Sequence, residues 1–531
     1  MLMAATTLAL LLGAVIVTRS FEIFSFNHDV AWILYCADRM LDGDSLYREI
    51  VEENPPLIFW LSTIPAAIAR ALGLQQLLVF NLMLGAVVGV SCILVHRVHS
   101  LAVSAATSSY RIGLVALVAC VEVLAPGYEF GQRENILLIA VMPYVFAAAA
   151  CAAGHALPRG LSWGVGLLAG IGLALKPYFL VIWLAIEAWL WIRTRVSWRR
   201  TENCVIAGVL VLYALSVVVF SPAYFEMVLL ATGIYSAYGV FGSPALLLHV
   251  SVAIVALAVV LFLLVPRSAF DQELRVALLI LTLSLLACAL LQGKGWDYHY
   301  DPAAASGIVL SGAILLGLGA ANAERLRGWA RSVVVALPLI MLLAMDAWGA
   351  VVFGQVGWWA WGPPSRERTV LRELVEVVRT HAWNRPIWLM STSVTPSFPV
   401  VNLSEADWSS RFCCLWLLPG LYTQEEKATR PFPYHERGDM TPTERYLGDA
   451  VVEDLEKNPP TLLIVDRSPE KQAFRRTDFD FLRYFLRDPR FAVFFAEYDE
   501  MVDVGPFRVY RRKQLDGVEP GGGGKVGRNP F

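Results

Sequence analysis

The chain has 531 residues, of which 57% are hydrophobic and only 17% charged, and its mean hydropathy is +0.56. Those values lie outside soluble globular usage and inside that of membrane proteins. The formal net charge of -2 says nothing about partners, and with Lys and Arg mainly in short turns there is no basic domain to receive a nucleic acid.

Met1 to Thr18 is an uncharged apolar run without a basic leader or a small-x-small cleavage site, and it reads as a retained first helix rather than a signal peptide. Next comes Phe26 to Leu57, FNHDVAWILYCADRMLDGDSLYREIVEENPPL, crowded with Asp29, Asp38, Asp42, Asp44, Glu49, Glu52 and Glu53. A bilayer protein keeps such a loop outside the hydrocarbon, where its charges stay solvated, and we read it as the floor of an active site. Within it Val30 to Leu41 is expected to be a helix that Asp29 is able to N-cap. Asp38, Asp42 and Asp44 read as a solvated face and a turn around Gly43, and Glu52 and Glu53 as the end of an extended strand before Pro55-Pro56. Leu57 to Leu72 is a further apolar helix, re-entrant or interfacial.

Apolar runs then follow to the middle of the chain. Counting the first, the expected spans are 2–18, 77–95, 112–126, 136–153, 163–176, 178–192, 204–220, 245–265, 276–291, 303–321 and 333–352, eleven in all. With the N-terminus inside, the inner turns hold Arg97, Arg111, Arg159, Arg193, Arg195, Arg199, Arg200, Arg267, Arg275, Arg325, Arg327 and Arg331. The outer side holds Arg39, Arg48 and Arg70 among acids, then Arg133, Lys176 and Lys294 singly, which is the positive-inside pattern. Arg19 sits on the outer side close to a helix end, where snorkelling is cheap. An odd number of spans places everything after Phe353 outside.

The tail from about Pro363 to Lys513 reads as a soluble α/β domain. Arg366 to His381 and Phe479 to Leu486 are expected helices, Pro386 to Met390 and Thr461 to Val465 buried strands, and Phe491 to Glu497 with Phe507 to Arg511 a closing hairpin. Trp408, Arg411 and Trp416 form an aromatic and basic set able to face a sugar, although core packing is the commoner use of such rings. The Gly-rich end is expected to be disordered. The domain plan is thus a membrane domain over residues 1–353 with first external loop 20–76, a soluble α/β domain over 354–515 and a tail over 516–531. The eight cysteines lie mostly in apolar runs, show no metal-type spacing and read as structural, including the adjacent Cys413 and Cys414.

On this topology the unusual polar residues share one face. Besides the first loop, PGYEFGQREN brings Glu129, Arg133 and Glu134, ALKPYF brings Lys176, and QGKGWDYHYDP brings Lys294, Asp297, His299 and Asp301. Carboxylates beside cations suit a reaction in which a carboxylate deprotonates a nucleophile while cations hold a phosphate leaving group.

The segments HDVAWILYCADRMLDGDSLY, ENPPLIFW, FGQREN, LKPYF and QGKGWDYHYDP, in this order, resemble the GT-C glycosyltransferases, and among them the dolichyl-phosphate-mannose, aminoarabinose and Rgt-type lipopolysaccharide transferases. The resemblance covers the membrane half; beyond Phe353 it is only that of a generic periplasmic domain. It implies a multi-pass α-helical GT-C-like fold in a bacterial inner membrane, with the active site and the C-terminal domain facing the periplasm. It also implies an inverting hexosyl- or pentosyltransferase that takes a sugar from a polyprenyl phosphate to an envelope lipid, polysaccharide or protein. By the same resemblance Asp29 is the general base.

Glu134 is the second carboxylate, orienting the acceptor or aiding the base, unless it only pairs with Arg133 at a helix start. Arg133, Lys176, Lys294 and His299 are read as holding the donor phosphate, Lys176 most clearly, because a lysine between apolar spans is costly unless it meets an anion. His28 reads as a solvated loop histidine. Hard oxygen ligands on Asp29 and Glu134 could bridge a divalent ion to a phosphate, yet no essential metal or other cofactor is expected. A lipid flippase or transporter is the competing class; it would show repeated halves and charges near mid-membrane, whereas here the acids crowd external loops and no repeat is visible.

Overall fold

The computed structural model describes residues 2–102, 108–240, 242–266, 270–321, 365–423, 432–469, 471–474 and 479–513. The expected span 333–352, the residues Arg267, Arg325, Arg327 and Arg331, and the segment 516–531 lie outside them. The chain divides into two compact units.

The first unit takes in Met1–Ser25, Leu78–Phe220 and the residues from Val240 onward to Ala321. It is helical throughout: α1 (Leu2–Phe21), α4 (Gln76–Ala102, from Leu78), α5 (Ser108–Leu124), α6 (Arg133–Ala152), α7 (Arg159–Ala174), α8 (Leu180–Thr194), α9 (Thr201–Phe220), α11 (Val250–Leu264), α12 (Gln272–Gln292) and α13 (Asp297–Ala321). Each expected span from 2–18 to 303–321 is one of these helices. By length and composition α4, α6, α9, α12 and most of α13 are able to cross a membrane, and all or most of α1, α7 and α11 are shorter apolar helices. The chain is thus a multi-pass membrane protein; α6 is its most enclosed helix, buried along nearly its whole length.

Helix α7 shows how such helices approach without a hydrophobic drive between them. A Cβ on Gly166 would meet the Glu202 carbonyl and Val205 of α9, and one on Gly170 would meet Val209 at 2.9 Å. Four residues apart, these glycines lie on one face and let two backbones touch, as small residues do between membrane helices. Gly172 faces the other way, where a Cβ would come within 2.6 Å of that of Ala140 on α6. Charged residues tie the opposite helix ends together: Arg193 meets Glu273 at 2.9 Å, Arg200 meets Glu187, and His99 Nε2 lies 2.8 Å from Asp271.

The second unit takes in Phe26–Leu77, Ser221–Gly239 and Ser365–Lys513 of the described residues. It contains α2 (His28–Leu41), α3 (Leu57–Leu72), α10 (Ala223–Ala231) and a five-stranded sheet of β1 (Pro386–Met390), β2 (Asp407–Trp408), β3 (Leu462–Asp466), β4 (Tyr498–Val504) and β5 (Phe507–Arg512). The order is β2-β1-β3-β5-β4, parallel across the first three and antiparallel from β3 through β5 to β4. Strands β1 and β3 are buried on both faces, as continuous apolar runs in a parallel sheet must be. The expected hairpin is corrected in one arm: Pro489–Phe495 is a helix, capped by the Asp488 carboxylate with Pro489 at its start, and the strand begins later, at Tyr498.

Trp408 and Trp416 take the commoner use of such rings, core packing: both are buried, Trp408 donates its indole N–H to the Phe412 carbonyl at 2.7 Å, and Arg411 pairs with Asp454 at 2.8 Å. Asp38 and Asp42 each receive one arm of Arg70, both at 2.7 Å, while Asp44 receives Arg39 at 2.6 Å. Those three acids therefore fasten α2 to α3 and close the turn at Gly43, whose φ of 105° suits only glycine.

Candidate active site

The polar cluster of the first unit forms where several helices end. Glu134 stands in the first turn of α6, Lys176 in the link between α7 and α8, Gln292 at the end of α12 and His299 in the first turn of α13. The close α6–α7 contact at Gly172 explains the meeting of the first two. Lys176 lies about one turn beyond that contact and Glu134 less than two turns before it on α6.

The Lys176 ammonium donates to Glu134 Oε1 at 2.5 Å, and His299 Nε2 lies 4.0 Å from the same oxygen. The Tyr178 hydroxyl donates to Gln292 Oε1 at 2.8 Å and sits 3.5 Å from Glu134 Oε1. Glu134, Lys176, His299 and Arg133 are all buried. The ammonium is flanked by the rings of Tyr178 and Tyr298, at 5.7 and 5.6 Å, whose faces favour a cation. Glu134 Oε2 is buried and has no hydrogen-bond partner among the described residues.

Lys294 occupies a turn whose flanking glycines, Gly293 and Gly295, take φ of 59° and 69°, and its ammonium lies 4.4 Å over the Trp296 ring. The charges of Lys176, Lys294 and Arg133 all act on the His299 imidazole. The structure therefore brings Glu134, Lys176 and His299 into contact and sets Arg133 and Lys294 within electrostatic reach. Glu134 binds Lys176, a partner that the sequence reading did not name. Among the described residues no group of three or more His, Cys, Asp and Glu side chains is placed to hold a metal ion.

Asp29 belongs to the second unit and stands in the first turn of α2. The expected N-cap role is corrected. Asn27 is the cap: its Oδ1 accepts the Asp29 and Val30 amides at 2.9 and 3.2 Å, so capping does not consume the Asp29 carboxylate. His28 Nε2 lies 3.6 Å from Asp29 Oδ1, and both side chains are partly exposed. Helix α2 is mounted on the C-terminal residues of its unit. Asn402 donates to the Ala31 carbonyl at 3.0 Å, the Trp408 amide donates to the Tyr35 hydroxyl at 2.8 Å, and Phe398 packs 4.9 Å from Trp32 and 5.3 Å from Tyr35.

Glu52, read from sequence as a strand end, is instead a buried anchor for that helix. Its carboxyl accepts from the Trp32 indole at 2.6 Å and from the Asn54 amide and side chain at 2.9 and 2.6 Å. Burial, and next the charge of Glu53, push its pKa up to about 8, against the bonds from Trp32 and Asn54. Because the folded value lies above the ordinary 4.5, this group's stabilising contribution is complete below pH 4.5 and is lost as the pH rises through about 8. Thermal unfolding in detergent between pH 5 and 8 is expected to show a falling midpoint, by about 4 °C or more, and Glu52→Gln should flatten that profile. An unchanged slope in the variant removes Glu52 as its source.

No family model matches the chain, and neither does any curated protein. Among solved structures it is similar to ArnT from Cupriavidus metallidurans in the apo state, with a TM-score of 0.51 and 13% identity over 96% of this chain and 98% of that one. The chain has the fold of ArnT. That likeness is one of fold, and it spans both the helical region and the C-terminal domain. The apo oligosaccharyltransferase of Archaeoglobus fulgidus aligns with a TM-score of 0.42 and 11% identity, over 96% of this chain and 75% of that one.

Proposed function

We propose that this protein is an integral-membrane glycosyltransferase that moves a hexose or pentose from a polyprenyl phosphate to an envelope lipid, polysaccharide or protein, with inversion at the anomeric carbon. The observation that carries this reading is the Lys176–Glu134 pair, buried at the ends of apolar helices in a chain with the ArnT fold. Burying a lysine and a glutamate costs more than their attraction returns unless the site has a task, and a cation poised there suits the phosphate of a lipid anchored in the same membrane.

In this reading Asp29 takes the proton of the acceptor hydroxyl, and the acceptor oxygen bonds to the anomeric carbon. The bond from that carbon to the phosphate oxygen breaks, and the polyprenyl phosphate leaves with its charge held by Lys176, helped by Arg133, Lys294 and His299. Glu134 keeps the Lys176 ammonium in place until the phosphate arrives. No divalent ion is assigned an essential role. The site faces the periplasm of a bacterial inner membrane, as the distribution of arginines along the sequence supports.

The test compares envelope glycans of a deletion strain with those of the strain complemented by the wild type or by Lys176→Met. One component should lose a sugar on deletion and regain it only with the wild type, and transfer in isolated membranes should persist in EDTA. An unaltered glycan profile in the deletion strain defeats the proposal.

A further inference from the structure

The turn between α8 and α9 carries four arginines, Arg193, Arg195, Arg199 and Arg200. Two are spent on carboxylates: Arg193 meets Glu273 and Arg200 meets Glu187. Among the described residues no carboxylate lies within ion-pair distance of Arg195 or Arg199. Each lies instead over an indole, Arg195 at 4.4 Å from the centre of the Trp191 ring and Arg199 at 5.8 Å from that of Trp198. The two tryptophans are 60% and 61% exposed, and Ile192 beside the first is exposed as well.

The local backbone fixes this arrangement. Arg195 ends α8 with φ of 55°, and its amide donates to the Trp191 carbonyl at 3.1 Å, which turns the arginine back toward the ring four residues earlier. Asn203, buried on α9, donates to the Trp198 carbonyl at 2.8 Å and accepts from the Trp183 indole of α8. The Arg199 amide donates to Ser197 Oγ at 3.2 Å.

The place of the turn says what meets it. Helix α8 has 15 residues, so the turn lies about 22 Å from the Lys176 link, at the other end of that helix. Helix α9, which begins at Thr201, is long and apolar enough to cross a membrane, and its Val211, Leu212 and Leu215 are exposed. The turn therefore stands at a membrane surface, the depth of lipid headgroups, where indoles gather. A guanidinium laid on a ring keeps its N–H donors in one plane, which suits two oxygens of one phosphate. The exposed rings and Ile192 offer apolar area to the chains below such a phosphate. A soluble phosphate would use the cations and leave the rings uncovered, whereas a phospholipid covers both.

We infer that the turn between α8 and α9 is a binding site for an anionic phospholipid, with the headgroup phosphate on Arg195 and Arg199 and the glycerol and first acyl carbons against Trp191 and Trp198. The site is separate from the one that contains Lys176, and the inference does not depend on the transferase reading.

Native mass spectrometry of the full-length protein in detergent tests this, with phosphatidylglycerol and phosphatidylethanolamine of the same acyl chains as probes. The wild type should hold phosphatidylglycerol about ten-fold more tightly than phosphatidylethanolamine, whose ammonium the two guanidiniums repel. Arg195→Gln/Arg199→Gln should bring the two lipids to equal affinity. Arg195→Lys/Arg199→Lys keeps both charges but loses the stacked planes, and it should bind phosphatidylglycerol about three-fold more weakly than the wild type. If the glutamine double variant does not fold, Arg199→Gln alone, outside both helices, takes its place and should lose about three-fold. An excess of glycerophosphate should leave the lipid bound.

Equal affinity for the two lipids in the wild type, or an undiminished preference in the folded glutamine variant, overturns the site. Full affinity in the lysine variant overturns it too, because positive charge alone then suffices. Displacement by glycerophosphate overturns a phospholipid as the ligand.

Discussion

Lys176→Met is expected to weaken undecaprenyl phosphate binding by about 10- to 100-fold and to reduce sugar transfer at least as much, because it removes a charge-assisted bond to a phosphate in a dry site. The same change also strands Glu134 without its 2.5 Å partner. Breaking a buried pair on one side costs about 3–5 kcal/mol, so the variant should also unfold at a lower temperature. The double variant Lys176→Met/Glu134→Gln separates the two effects. It leaves no uncompensated charge and should recover most of the lost thermal stability while remaining unable to bind the lipid phosphate. Transfer restored in the double variant would show that Lys176 serves folding and nothing else.

For Asp29→Asn the expectation is the opposite combination: a loss of turnover of about 10²- to 10⁴-fold, as for removal of a general base, with lipid binding and unfolding temperature nearly unchanged. The stability half of this expectation follows from the cap. Since the Asn27 side chain accepts the first free amides of α2, the Asp29 carboxylate can be neutralised without unwinding the helix. Asn27→Ala, in contrast, should cost about 1 kcal/mol and lower activity only as far as α2 is displaced. Normal transfer by Asp29→Asn would remove it from the chemistry.

What the sequence made legible follows from how local the information is. Ten of the eleven expected apolar runs fall on helices, five of them, wholly or in large part, long and apolar enough to cross a membrane, and Pro386–Met390 announced itself as a buried strand. At Phe491 to Glu497 aromatic residues of high strand propensity outweighed, in that reading, a quieter signal: Asp488 followed by Pro489, a cap and a first helical position.

The site was legible in its residue types and not in its pairings. Glu134 meets Lys176 across 42 residues, and the meeting depends on the contact of Gly172 with Ala140, which periodicity does not reveal. Glu52 looked like a strand end because Trp32, 20 residues earlier, gives no local sign of donating to it.

The mounting of α2 on residues near Phe398, Asn402 and Trp408 has a consequence in time. Asn402 reaches a carbonyl 371 residues earlier in the chain, so the helix that carries Asp29 leaves the ribosome long before its support exists. Contacts so distant in sequence close late, and domains made later fold later. A nascent chain with every membrane helix inserted still lacks the fixed platform for its first-loop acid until the sheet domain has been translated and folded. The fixed mounting of Asp29 is then one of the last features the protein acquires during its own synthesis.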